Sequence, residues 1–155
     1  MSVTSQQCLK KYGNPELLAT QSKHFVRWNV PQDIQQAFAH VWFAAIGKTE
    51  FPKVIFLNKD LQHPLEQALR NVISRGLAKE MKTWDGCFVI RNKRDLSSLS
   101  LHSWAIAVDI NREENQLHQT PKLSPQFVKC FTDAGFEWGG NWQRRDGMHF
   151  ELAKI

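Results

Sequence analysis

The stretch SLHSWAIAVD, residues 100–109, places the tightest constraint on how this 155-residue chain folds. His102 and Asp109 stand seven positions apart. On one unbroken strand they would lie roughly 23 Å apart on opposite faces, and on one helix still about 10 Å apart. Neither arrangement lets both side chains act on one small object. A bend through Ser103-Trp104 does, if Asp109 then returns beside His102 on a strand. Ala105 and Ala107, alternating toward the carboxylate, are poor core filler. By the period-two rule they share a face with Asp109, and two methyl groups leave an open floor beside it.

A second constraint lies near the C-terminus, in GGNWQRRDGMHFEL, residues 139–152. Asp146 and His149 are three apart, and His149 opens an alternation of His149 and Glu151 against Met148, Phe150 and Leu152. Two imidazoles and one carboxylate, His102, His149 and Asp109, suit Zn²⁺ with a fourth position left for water. Asp146 is then a spare carboxylate able to take a proton from that water. Taken singly, each residue has a plainer reading: a surface or hydrogen-bonded histidine, as for His24, His40, His63 and His118, or an edge aspartate in a salt bridge. Glu151 reads equally as a partner that orients a ligand histidine or as a surface carboxylate. Trp142 reads as packing, or as a platform for a sugar or lactyl-peptide.

Length favours a single domain over residues 1–155, with residues 1–50 as an arm packed on the core. No run approaches the roughly 20 apolar residues of a membrane span. The N-terminal MSVTSQQCLKKYGNPELL has no apolar segment of the signal-peptide kind, which points to a protein that starts in the cytoplasm. The three cysteines, Cys8, Cys87 and Cys130, have no paired spacing and read as buried thiols. The net charge of +5 favours an anionic setting. The cations are scattered as doublets, Lys10-Lys11, Lys93-Arg94 and Arg144-Arg145, without the continuous stripe of a nucleic-acid binder.

Periodicity predicts the elements. HFVRWNV, 24–30, reads as a short strand or an extended arm. Residues 32–45 read as a helix with Ile34, Ala37, Phe38, Val41 and Trp42 on one face. Residues 54–57 read as a strand. LQHPLEQALRNVISRG, 61–76, is the clearest helix, with Leu65, Leu69, Val72 and Ile73 as its stripe, Pro64 in its first turn and Gly76 at its end. CFVIR, 87–91, and AIAVDI, 105–110, read as strands. Ser124-Pro125 opens a further helix, and 136–138 and 148–152 are short strands. Helices early and strands late predict an α+β fold: a small antiparallel sheet, carrying the zinc site, packed against helices.

These residues resemble a known family. SLHSWAIAVD is similar to the S-x-H-x-x-G-x-A-x-D signature of the zinc D,D-carboxypeptidases and L-alanyl-D-glutamate endopeptidases that cut peptidoglycan stem peptides. DGMHFE resembles their closing D/E-x-x-H motif, CFVIR the segment that carries their arginine, and GFEWGGNW the stretch before the closing motif. The likeness spans roughly residues 54–152. It implies a hedgehog/D,D-peptidase-like fold and one zinc ion held by His102, Asp109 and His149. It further implies Asp146 as general base, Arg91 as the group that holds the scissile carbonyl, and Ser100 as a residue that orients substrate or loop. Aspartate at 146, where the carboxypeptidase branch carries glutamate, is similar to the phage endolysin branch. That implies a monomeric enzyme made in the host cytoplasm, acting on the cell wall, with cleavage of the L-alanyl-D-glutamate bond. The alternatives are removal of a terminal D-alanine, or a weakly active zinc-binding module that recognises wall peptides. The last is motivated by Ala105, where the family prefers glycine: a left-handed backbone there would cost alanine about 1–2 kcal/mol.

Overall fold

Thr4 opens the first helix with a reciprocal cap. Its hydroxyl accepts the Gln7 N–H, and the Gln7 side chain accepts the Thr4 N–H. The computed structural model describes residues 2–94 and 96–155, and its architecture is α+β. The elements run α1 (Ser5–Tyr12), α2 (Leu18–His24), β1 (Phe25–Asn29), α3 (Gln32–Ala37), β2 (Trp42–Phe43), β3 (Lys48–Thr49), β4 (Val54–Asn58) and α4 (Lys59–Ser74). They continue as β5 (Thr83–Gly86), β6 (Ala107–Ile110), α5 (Pro125–Thr132), β7 (Phe136–Trp138) and β8 (His149–Leu152). No helix among the described residues is long and apolar enough to cross a membrane.

Two sheets form. β1 and β4 make an antiparallel ribbon in register from Phe25–Asn58 to Asn29–Val54. The other six strands run β3-β2-β5-β6-β8-β7. The expectation of one small antiparallel sheet is corrected on two counts: there is a separate ribbon, and β2 pairs with β5 in parallel. Helix α4 packs on α5 and on the β1–β4 ribbon, and α5 packs on β7; Leu61, Leu65, Leu69, Phe127 and Phe131 share one buried core with Phe150 and Val108, where the Phe131 and Phe150 rings meet. A proline, Pro64, lies inside α4 rather than in its first turn, because the helix starts two residues earlier than its apolar stripe suggests, on an Asn58 cap.

Two predicted elements are also corrected. The helix predicted over 32–45 stops at Ala37. Its remaining apolar residues leave for the sheet, where the Trp42 N–H donates to the Lys82 carbonyl and the Ala44 N–H to the Trp84 carbonyl. β-Branched and aromatic residues at Val41, Trp42 and Phe43 fit a strand as well as a helix, and Trp42 ends half exposed rather than on the buried face. CFVIR, 87–91, is not a strand. A bulge at Trp84–Gly86, with Gly86 at φ +120°, turns the chain out of the sheet. Its backbone groups then bond to the 100–103 turn instead of a neighbouring strand: Val89 N–H to the His102 carbonyl, and Ser100 N–H to the Arg91 carbonyl.

The N-terminal residues belong to the same packing. Trp104, fully buried, donates from Nε1 to the Gly13 carbonyl (2.8 Å), and the Tyr12 hydroxyl donates to Asp60 (2.7 Å). The three cysteines are free and buried.

Candidate metal centre and active site

The bend between His102 and Asp109 is a short 3₁₀ turn, Leu101–Trp104, capped by the Ser100 hydroxyl, which accepts the His102 N–H. Ala105 leaves the turn in the left-handed region, at φ 54° and ψ 40°. Two residues later the chain enters β6. Within the strand, Ala107 and Asp109 face the site; Ala105 precedes the strand, so its alternation with them is a matter of the turn and not of the pleat. Asn58 secures this bend from the other sheet. Its side chain donates to the Trp104 carbonyl (3.1 Å) and its N–H to the Ala105 carbonyl (3.0 Å), while it also caps α4.

β8 supplies the other half. Antiparallel pairing sets Asp109 opposite His149 and Ala107 opposite Glu151, so directly opposed side chains share one face. The Ala107 methyl is small enough to leave room for Glu151, which is 3% exposed. Candidate ligand atoms of His102, Asp109 and His149 lie within 4.8 Å of one another.

Tautomers follow from the partners. His102 Nδ1 lies 2.6 Å from the Cys87 carbonyl, which can only accept, so Nδ1 carries the proton and Nε2 presents a lone pair. That Nε2 stands 3.1 Å from Asp109 Oδ1 yet has no hydrogen-bond partner. His149 Nε2–H donates to Glu151 (2.8 Å), leaving Nδ1 aimed at the same Asp109 Oδ1 at 3.3 Å. Two imidazole nitrogens and one carboxylate oxygen thus converge, all buried, on a point that calls for positive charge. A proton or a cation answers it. Without a metal, burial opposes charge on His149, but hydrogen bonds to Asp109 and Glu151 outweigh it and raise its pKa to about 10. Burial likewise opposes ionisation of Asp109, and the adjacent His102 and His149 outweigh it, holding the carboxyl well below the usual range. A divalent ion would stand in for the proton on His149 and engage the orphaned His102 nitrogen. The N, N, O donor set and the carboxylate and carbonyl that orient the two rings fit Zn²⁺.

The remaining predicted residues meet in one pocket. Arg91, Ser100, Trp142, Asp146, His149 and Glu151 all line it. Asp146 Oδ1 is buried without a hydrogen-bond partner, and burial pushes its carboxyl above the ordinary value. Its backbone is fixed at both ends: Asp146 N–H donates to the Gly139 carbonyl (2.9 Å), and its carbonyl accepts the His149 N–H (3.1 Å). Trp142 donates from Nε1 to Glu137 (2.9 Å), and its ring centre lies 5.5 Å from that of His149. The Arg91 main chain is held by the Ser103 hydroxyl, and Arg91 Nη1 donates to the Asn92 carbonyl (3.2 Å).

Three supporting residues escape sequence reasoning. Asn58 is readable as a helix cap but not as a clamp on a turn 46 positions away. The Cys87 carbonyl has no side-chain signal at all. Gly139 has a steric reason: a Cβ there would sit 2.5 Å from the Asp146 carbonyl oxygen. Its presence in GGNW was the available clue.

Residues 94–152 match the family described as D-alanyl-D-alanine carboxypeptidase. The matched stretch contains Ser100, His102, Asp109, Asp146 and His149 and leaves Arg91 just outside. No curated protein and no solved structure matches the chain. The family match, with the His–Asp–His cluster, supports a zinc metallopeptidase that acts on peptidoglycan.

Proposed function

We propose that this zinc metallopeptidase hydrolyses an amide of the peptidoglycan stem peptide, the L-alanyl-D-glutamate bond, with residues 1–155 as one catalytic domain of the hedgehog/D,D-peptidase-like kind. The observation that carries the reading is the convergence of His102 Nε2, His149 Nδ1 and Asp109 Oδ1 beside a partnerless Asp146 oxygen. His102, Asp109 and His149 would hold the ion. What zinc supplies when bound is Lewis acidity, which makes water nucleophilic near neutral pH and polarises a carbonyl.

The chain's own residues do the rest. Asp146 takes the proton of the attacking water at Oδ1 and returns it to the leaving amine. Its raised pKa suits the first of these transfers, because a more basic carboxylate takes up a proton more readily. Arg91 points positive charge at the carbonyl oxygen as it becomes an oxyanion. Glu151 and the Cys87 carbonyl hold the two imidazoles in the ligating tautomers. Ser100 keeps the 3₁₀ turn capped at the edge of the pocket, and Trp142 walls the pocket over His149 and offers a flat face to substrate. Aspartate at 146 is what favours the endopeptidase bond. The description of the matched family favours a second reading, removal of terminal D-alanine.

Zinc analysis coupled to digestion of purified muropeptides tests the proposal. The wild type carries one zinc per chain and releases the stem from L-alanine onward; loss of a single alanine mass instead selects the carboxypeptidase reading. Asp146→Ala keeps the zinc and loses about 10²–10⁴ in rate, while His149→Ala loses both. Cleavage by a zinc-free His102→Ala protein, or stoichiometric zinc with no turnover, overturns the peptidase reading; the latter would mark a wall-peptide binding module.

A further inference from the structure

The pocket is ringed by cations to which the proposed hydrolysis assigns no task. Lys93, Arg94 and Arg144 line it alongside Arg91, Asp146 and His149. In the chain, Lys93-Arg94 and Arg144-Arg145 are separate doublets with nothing to connect them. The fold brings them to one rim, where the Arg144 guanidinium donates to the Arg94 carbonyl. That bond ties the segment after Arg91, pinched by an Asn92–Leu99 bridge, to the loop that carries Asp146. Among the described residues, none of Arg91, Lys93, Arg94 and Arg144 forms a salt bridge with a carboxylate.

The acids of the site do not neutralise them. Glu151 is engaged by His149, and Asp109 faces both imidazoles. Among the described residues, Asp109, Asp146 and Glu151, set against a divalent ion and four cationic side chains, would leave a loaded cleft net positive. Such a cleft attracts an anionic ligand and offers it guanidinium donors in fork geometry.

We infer that Lys93, Arg94 and Arg144 form a carboxylate-reading rim that makes cleavage depend on a free carboxylate next to the scissile amide. The inference rests on the peptidase reading. In a stem peptide the D-glutamate continues through its side-chain carboxyl, so its α-carboxylate is attached to the carbon that bears the leaving amine. Amidation of that group keeps its shape, removes its charge and turns N–H donors toward guanidinium donors. The rim therefore discriminates between stem peptides with free and with amidated D-glutamate.

The test uses the zinc-loaded full chain and two synthetic stem peptides, identical except for a free or an amidated α-carboxyl on D-glutamate. The expected result is a kcat/KM about tenfold or more in favour of the free acid, the size of a charge-assisted contact. Arg144→Gln, and separately the Lys93→Gln/Arg94→Gln pair, retain stoichiometric zinc and bring the ratio toward one by raising KM for the acid. Equal cleavage of both peptides by the wild type, or an unchanged ratio in both variants, overturns the inference. If neither peptide is cut, the peptidase reading has failed. Calorimetric binding of the same peptides then decides the rim independently: tighter binding of the acid, lost in Arg144→Gln, supports it, and equal binding overturns it.

Discussion

The two faces of the β6–β8 strand pair are buried alike and built on opposite principles. One face presents Val108, Ile110, Phe150 and Leu152 to the helices. The other presents Ala107, Asp109, His149 and Glu151, all buried. The first is stabilised by removing apolar surface from water. The second buries charge, which is tolerable only where each group has a partner. His149 has Glu151, and Asp109 has two imidazoles, but the cluster closes fully only around a cation. The core face gives the pair its rigidity, and the site face uses that rigidity to hold ligands at fixed separations.

Substitutions on each face separate the two roles. Phe150→Ala, on the core face, removes a fully buried ring packed 4.5 Å from Phe131. It costs about 3–5 kcal/mol of stability in denaturant titration, with zinc stoichiometry retained wherever the protein is still folded. Loss of zinc from that folded variant would show that the faces are not separable. Glu151→Gln, on the site face, removes the charge that holds the His149 proton on Nε2. Zinc affinity falls about 10–100-fold in competition with a chelator, and the metal-free protein melts lower near neutral pH, because the charged His149 loses one of the two carboxylates that hold its proton. Affinity unchanged by this substitution would leave Glu151 a spectator.

The smallest effect concerns the hinge between the faces. Ala105 sits at φ 54° where glycine is free of the Cβ penalty. Ala105→Gly should raise stability by about 1 kcal/mol and leave the zinc content unchanged. A destabilised variant would mean that the buried methyl contributes more than the strain costs.

How much of this was legible depends on the range of the physics involved. If His102 and Asp109 are to act on one ion, strand and helix geometry require a bend between them, and the 3₁₀ turn at Leu101–Trp104 provides it. The strand at β8 and the helix after Ser124 follow from local alternation and a local cap. The split of 32–45 into α3 and β2 does not, because Val41, Trp42 and Phe43 suit either state and the Lys82 carbonyl, forty positions on, decides it. CFVIR looks like a strand by composition, but its backbone is claimed by the 100–103 turn. Glu151 stayed between two readings until its register opposite Ala107 placed it beside His149. Lys93, Arg94 and Arg144 looked scattered because only the folded chain brings them to one rim.

The central claim is that one ion is held by His102, Asp109 and His149. X-ray absorption at the zinc edge of the stoichiometrically loaded protein tests it most directly. The account predicts a first shell of nitrogen and oxygen at about 2.0–2.2 Å, without sulfur, including two imidazoles that fall to one in His149→Ala. A sulfur shell, or an imidazole count that His102→Ala and His149→Ala both leave untouched, would contradict it.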